Sequence, residues 1–521
     1  MIKPTLALIV AVVVLAKIVS TSAENILFLQ TLSSKSHHIW NKQIIDRLYD
    51  NGHNLTILSF FEEKSIPGKT FLVAADFMGK IMAEYSDWDY TAEVDPFINI
   101  KQMYDYYSLA SRIISEENAF LELLKYPKTF RFDLIVHDFT MGQFLLGLVE
   151  YFGNPPLVSV TAFNIPSYAI TLADAPLMTT YMPHYTAEFT NRMTFIERVK
   201  NTLFWAFDIF YRSQVYMRGE NSLSRKIFGQ ETTSLNAIEK RSDLILVNCD
   251  FSMDYYQPLP PNVIPVAGLH VFRKEDISPV IKQFIARANK GVILLSFGTI
   301  FATEMLGEQV NKAIMDVFRG MSDYGFIWKH GDPASLGVMP PNVLVLPWVP
   351  QAAVLSNQRT RLLISHGGLL SLQEASWYGV PVVAVPFFVD QQSNADKLER
   401  TGVGAKLLPK DINEENLRKS ILKVVENESY RTNMKLRSQR FRSQPEHPLD
   451  RAIFWIEKVI ENKGLGYLRS PGHDMSLVVL YGLDMIGVVL LVLLLVYSLL
   501  RKCAAKVSGQ KSTKPSKSKK E

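Results

Sequence analysis

The chain is 521 residues long, with 47% hydrophobic and 21% charged residues and a formal net charge of +5. That length exceeds what one hydrophobic core usually covers, so two domains are expected, and the composition excludes a disordered or fibrous chain. The positive charge sits at the ends, Lys3 and Lys17 near the start and a basic run after Arg501, with acidic residues slightly in excess between them; nothing in it points to a nucleic-acid partner.

Residues 1–23 have the layout of a secretory leader: Lys3, an apolar run ended by Lys17, and small residues at Thr21 and Ala23, with cleavage expected after Ala23. Residues 25–30 read as a buried strand, 38–50 as an amphipathic helix, and 54–60 as the next strand after the Asn51-Gly52 turn, which makes a βαβ unit. A short apolar run at 132–136 ends at His137 and Asp138, and 156–162 reads as a further strand. A second series follows Gly291, with strands at 292–296, 326–329, 343–346, 362–365 and 382–385 and helices near 309–320 and 372–378. The fold class is therefore α/β: two Rossmann-like, doubly wound domains facing across a cleft, over 24–280 and 281–465, joined by a charged, proline-containing stretch at 273–279.

Residues 476–500 are apolar apart from Asp484, and 501–521 form a basic tail. This reads as one transmembrane helix with a cytosolic tail and the rest of the chain on the opposite side, a type I arrangement. Asp484 is costly at mid-bilayer, so the embedded core is expected at 485–500, a short span that suits a thin membrane such as the endoplasmic reticulum. Lys517 and Lys519 resemble a dilysine retrieval signal, and a plain basic tail is the equal alternative. Cys249 and Cys503 fall on opposite sides of that membrane and cannot pair. Asn54 and Asn427 open glycosylation sequons, Asn54 at a strand start where burial would hinder modification.

The strand at 362–365 gives way to Ser365-His366-Gly367-Gly368, with Leu370, Ser371 and Glu374 in the following helix. Paired glycines let backbone amides approach a diphosphate, the helix presents its positive end, and the histidine adds a donor. Trp348 and Gln351 precede this turn and Asp390 and Gln391 follow it, each just beyond a strand, so that strand ends in one sheet converge on one cleft. Trp348 offers a flat face for a base, Gln351 and Glu374 polar groups for a nucleoside, and Asp390 and Gln391 partners for sugar hydroxyls. No G-x-G-x-x-G follows the first strand and no P-loop lysine is present, which argues against a dehydrogenase or an ATPase.

With Trp348-Val349-Pro350-Gln351, His366-Gly367-Gly368, Glu374 and Asp390-Gln391, nearly the whole chain resembles the UDP-glycosyltransferase family. The resemblance implies that Trp348 stacks on uracil, Gln351 and Glu374 bind the nucleoside, and Ser365, His366 and Gly367 bind the diphosphate. It further implies Asp390 and Gln391 at the transferred sugar and Thr299, in Ser296-Phe297-Gly298-Thr299, at a phosphate. One departure is Leu370, where many vertebrate members carry Asn. Ser371 could replace that contact, and the Leu-Leu-Ser version resembles the invertebrate branch, whose usual donor is UDP-glucose.

Transfer needs a base in the other domain, and Ser36-His37-His38 lies just beyond the first strand, leaving either histidine eligible. The family's spacing to the Gly52-His53 pair selects His37 and places Asp138 behind it as the carboxylate partner. The expected reaction is a single inverting displacement on a small lipophilic hydroxyl acceptor. The UDP-sugar is then a co-substrate, and no metal or further cofactor is expected. The aromatic stretches 104–107 and 204–216 would line the acceptor pocket, touch the membrane or form plain core. Pairing with a second copy stays open, and the rival reading is a catalytically silent binder of lipophilic ligands with the same fold.

Overall fold

In the computed structural model the described residues are 23–84, 95–272, 275–298, 306–387 and 389–509. The leader through residue 22, part of the 273–279 joint, Thr299 and the tail lysines Lys517 and Lys519 lie outside them.

The first sheet is built from β1 (Asn25–Leu29), β2 (Asn54–Ser59), β3 (Lys69–Val73), β4 (Leu134–Asp138), β5 (Leu157–Thr161), β6 (Leu244–Val247) and β7 (Val263–Pro265). Its seven strands run in the order β3-β2-β1-β4-β5-β6-β7, all parallel. Central strands such as Ile26-Leu27-Phe28-Leu29 are apolar without alternation because helices cover both faces, and each of these residues is fully buried. Helices α1 (Lys35–Asp50), α2 (Phe77–Glu84) and α3 (Pro96–Glu116) belong to this half. Helix α1 starts earlier than the expected residue 38, which puts His37 in its first turn. The strand expected at 132–136 is shifted to Leu134–Asp138, so His137 and Asp138 are part of it and His137 pairs with Leu29.

The second sheet holds β8 (Val292–Ser296), β9 (Gly325–Lys329), β10 (Val343–Leu346), β11 (Thr360–Ser365), β12 (Val382–Ala384) and β13 (Gly404–Lys406), with helices α4 (Leu369–Tyr378) and α5 (Gln391–Arg400). The order of its six parallel strands is β10-β9-β8-β11-β12-β13.

Within 281–465, helix α6 (Pro448–Asn462) leaves the second sheet and packs on the first. Its Leu449, Ala452, Ile453 and Ile456 form one helical stripe and are buried with Ile26, Phe28 and Trp40. Polar contacts fix its outer face: Arg47 pairs with Asp450 at 2.6 Å and Asn51 donates to Glu457 at 2.6 Å. Both sheets and α6 form one compact unit ending at Arg469.

Ser470–Glu521 form a separate unit dominated by α7 (Leu483–Gly509). Its segment Leu483–Lys506, of 24 residues with mean hydropathy 2.6, is long and apolar enough to cross a membrane. Asp484 falls in its first turn, where the helix dipole favours an acid. Asn54 and Asn427 are both exposed, against the burial expected for Asn54. Both cysteines are free.

Candidate active site

Each sheet reverses its strand order once, at β1/β4 in the first and at β8/β11 in the second. In an open parallel sheet the loops on either side of such a point diverge and leave a crevice at the strand C-termini. At these strand ends stand Asp138, the last residue of β4, and, in the segments that leave β1, β8 and β11, His37, Gly298 and the His366 turn.

On the first sheet, His37 is 4% exposed, and its Nδ1 lies 3.7 Å from Asp138 Oδ2, an ion-pair separation longer than a hydrogen bond. The edge of its ring packs against Phe163 at 4.7 Å. Asp138 is fully buried, with Oδ2 accepting from Asn41 Nδ2 at 3.0 Å and Oδ1 from Thr140 Oγ1 at 2.7 Å. Burial pushes this carboxyl up, but His37, Thr140 and Asn41 together outweigh it and hold the group below the usual carboxylate range. His38 turns away, its Nδ1 3.0 Å from Gln30 Oε1 and its Nε2 3.2 Å from Glu63 Oε1. His137, on the other face of β4, is buried and pushed down to about 4 by desolvation, so it is neutral at physiological pH.

On the second sheet, Ser365 is fully buried beneath the turn, its Oγ accepting from Gly367 N–H at 3.3 Å. Gly367 takes φ of +82°, a conformation that favours glycine. Burial, followed by the charge of Lys329, brings His366 down to about 4, so it meets a ligand as a neutral donor. Gln351 Nε2 donates to Ser371 Oγ at 3.0 Å and to Glu374 Oε2 at 2.7 Å, tying three expected nucleoside and phosphate residues together. Asp390 Oδ2 accepts from Asn394 Nδ2 at 2.7 Å, and the same amide donates to Gly367 O at 3.1 Å. Gln391 Oε1 accepts from Phe387 N–H at 2.8 Å. Burial raises the Asp390 carboxyl. Val389, next to Asp390, has φ of +57°, a strained conformation for a β-branched residue.

One cavity of about 310 Å³ lies between the two sheets. It brings together His37, Trp348, Gln351, His366, Gly368, Ser371, Glu374, Asp390 and Gln391. Asp138, Ser365 and Gly367 are not among the lining residues: Asp138 stands behind His37, and Ser365 beneath Gly367. Of the aromatic stretch 104–107, Tyr106 and Tyr107 line the cavity, whereas Tyr104 is buried and donates to Asp208 at 2.6 Å.

Sequence reasoning missed Lys329 and Asn394, and it named Gly298 only as a member of the Ser296-Phe297-Gly298-Thr299 loop. Lys329 ends β9, beside β8, and its Nζ lies 5.1 Å from the centroid of the Trp348 ring and donates to Gly298 O. Among the described residues lining the cavity it is the one lysine or arginine. Asn394 lies one turn beyond Asp390 on α5, a spacing that marks side-chain neighbours and was legible. Leu370, the discordant residue of the motif, packs against the apolar core of the first sheet, and its carbonyl lies 2.9 Å from His270 Nε2. A polar side chain there would lose the apolar packing.

Gly298 has φ of +85°, and a Cβ placed on it would stand 2.6 Å from His366 Cε1. The substitution Gly298→Ala is therefore expected to displace the imidazole and weaken UDP binding by about 10-fold, equivalent to roughly 1.4 kcal/mol. Titration calorimetry with UDP checks this, and an unchanged affinity would remove the ring's position from the account.

The sequence matches the family described as UDP-glucoronosyl and UDP-glucosyl transferase over residues 27–518. UDP-glycosyltransferase UGT5 of Dactylopius coccus is 28% identical over 510 residues, covering 95% of each chain. UDP-glucuronosyltransferase 2B7 of Homo sapiens is 26% identical over 492 residues, covering 90% of each. Among solved structures, CalG4, the calicheamicin glycosyltransferase, superposes with a TM-score of 0.54 at 18% identity, covering 85% of this chain and 99% of that one. The fold is thus that of the two-domain, GT-B type glycosyltransferases. The family match extends over nearly the whole chain, and with it comes sugar transfer from a UDP-sugar: the chain belongs to the UDP-glucuronosyl and UDP-glucosyl transferase family.

Proposed function

We propose that the chain transfers a hexose, glucose by preference, from its UDP derivative to the hydroxyl of a small apolar acceptor in one inverting step with His37 as general base. The observation that carries this reading is the cavity itself, in which His37, backed by buried Asp138, faces the diphosphate turn and Asp390. With Nδ1 turned to Asp138, Nε2 is left for the acceptor proton. The oxygen bonds to the anomeric carbon as the bond from that carbon to the β-phosphate oxygen breaks, the electron pair leaving on UDP. Asp138, ionised at neutral pH, steadies the imidazolium formed, and the 3.7 Å separation would tighten in the loaded complex.

UDP departs with extra negative charge on its phosphates. A neutral His366, Ser371 and the free amides at the start of α4 supply hydrogen bonds there, and Lys329 supplies the positive charge. Trp348, 47% exposed as a residue, offers its ring to the base, and Gln351 presents Glu374 to the ribose. Thr299 would add a phosphate contact from the loop after β8.

Asp390 and Gln391 would hold the sugar hydroxyls. A carboxylate at that position repels a glucuronate carboxyl, and among the described residues lining the cavity no arginine offsets it, which supports glucose. Turnover of UDP-glucose and UDP-glucuronate measured side by side tests this. Glucose should have the higher kcat/KM by about 10-fold or more; a faster glucuronate would sink the donor assignment and leave transfer itself standing.

We read α7 as the anchor of a single-pass type I protein of the endoplasmic reticulum, with the catalytic unit in the lumen. The basic run after Arg501 and the exposed sequons at Asn54 and Asn427 support that orientation.

A further inference from the structure

Helix α3 turns Asn99, Gln102, Met103, Tyr106 and Tyr107 to the cavity, and their spacing makes one continuous stripe of the helix. Around them the described residues of the wall are apolar and uncharged, with Ile81, Met82 and Phe163 among them. Asn99 and Gln102 are half-buried, and neither side-chain amide has a hydrogen-bond partner among the described residues. They lie one turn apart, so their amides are neighbours. Two unengaged amides in a chargeless apolar wall are what fixes the orientation of a ligand in such a pocket. Polar side chains that served only solubility would face bulk water on the outer side of α3, where Lys101 and Asp105 already sit as an exposed pair.

We propose that Asn99 and Gln102 form the acceptor-selecting element of this cavity. The pair takes a second hydrogen-bonding group of an uncharged, flat, apolar acceptor, distinct from the hydroxyl that receives the sugar. An amide both donates and accepts, so a carbonyl or a second hydroxyl suits the pair. A carboxylate does not, because among the described residues lining the cavity the one lysine or arginine is Lys329, which stands on the second sheet at the Trp348 ring and not beside this pair, and Asp390 lines the same cavity. Met78, Met82 and Met103 complete the wall with unbranched, polarizable side chains that adapt to different ring shapes, Met78 being held by a 2.8 Å contact from Ser33 Oγ. Acceptor choice thus rests on one polar pair in a compliant apolar surround. This inference rests on the glycosyltransferase reading of the cavity.

The test compares a para-alkylphenol with the hydroxyaryl ketone of the same carbon skeleton, on the full chain in detergent. The ketone should be preferred by the parent protein. In the double variant Asn99→Leu, Gln102→Met, its kcat/KM should fall by about 10-fold or more, chiefly through KM. The alkylphenol should change by no more than about 2-fold, which also shows that the variant is folded. An equal fall for both acceptors, or no change for the ketone, overturns the proposal. Titration calorimetry of both acceptors in the presence of UDP gives an arm independent of turnover. If no acceptor is glycosylated yet the ketone's binding advantage is present and vanishes in the variant, the transfer reading fails and the amide pair stands. If the ketone has no such advantage, the pair falls.

Discussion

Replacing His37 by Ala is expected to lower kcat by roughly 10²- to 10⁴-fold, the range for loss of a positioned general base, while UDP binding stays within about 2-fold. The separation of effects follows from the layout. His37 stands on α1 of the first sheet, whereas Trp348, Gln351, His366 and Glu374 all stand on the second. Asp138 is held below the usual carboxylate range, so it is already ionised at neutral pH and is available to support the base there. Asp138→Asn should lower kcat too, because Asn cannot steady the imidazolium. Stopped-time assays with a labelled UDP-hexose and calorimetry with UDP measure the two quantities. Transfer retained by His37→Ala would remove this residue from the mechanism and move attention to another proton acceptor.

Lys329→Met is expected to lower kcat by about 10²- to 10³-fold, the scale of losing one preorganised charge at a developing anion. Methionine is one atom shorter than lysine and keeps an unbranched apolar stem, so the change chiefly removes the charge. UDP should bind more weakly as well, since the ammonium meets ground-state phosphates. Lys329→Arg should restore part of kcat, because it returns a positive charge to the same place. A Met variant with parental kcat would show that His366, Ser371 and the amides at the start of α4 suffice for the leaving group.

The donor half of the site was legible because its chemistry is contiguous. A strand, two glycines and a helix start follow one another in Ser365 to Leu369, and the turn's needs are written in those residues. Gln351, Glu374 and Asp390 each follow a strand of the same sheet, so their convergence followed from strand polarity alone. Helix and strand boundaries shifted by a few residues, as at β4, where the apolar run begins before Leu134 although pairing with β1 begins there. Strand β3 escaped notice because it is a short edge strand in which only Phe71 is buried. Helix α6 carried a clear amphipathic stripe, but nothing in the stripe said which sheet it covers.

By itself the sequence determined two parallel α/β domains, an apolar helix able to span a membrane, and a paired-glycine turn between a strand and a helix. Each is a local pattern of hydrophobicity or backbone freedom. The tertiary structure alone decided which strands are neighbours, and the rest followed from that. It set β1 beside β4 and so His37 near Asp138, and β9 beside β8 and so Lys329 near Gly298 and His366. It also explained Leu370, whose side chain belongs to the packing of the opposite domain. In a parallel sheet neighbouring strands are joined by long crossovers, so their order is fixed by how helices pack over both faces, and no stretch of chain records it.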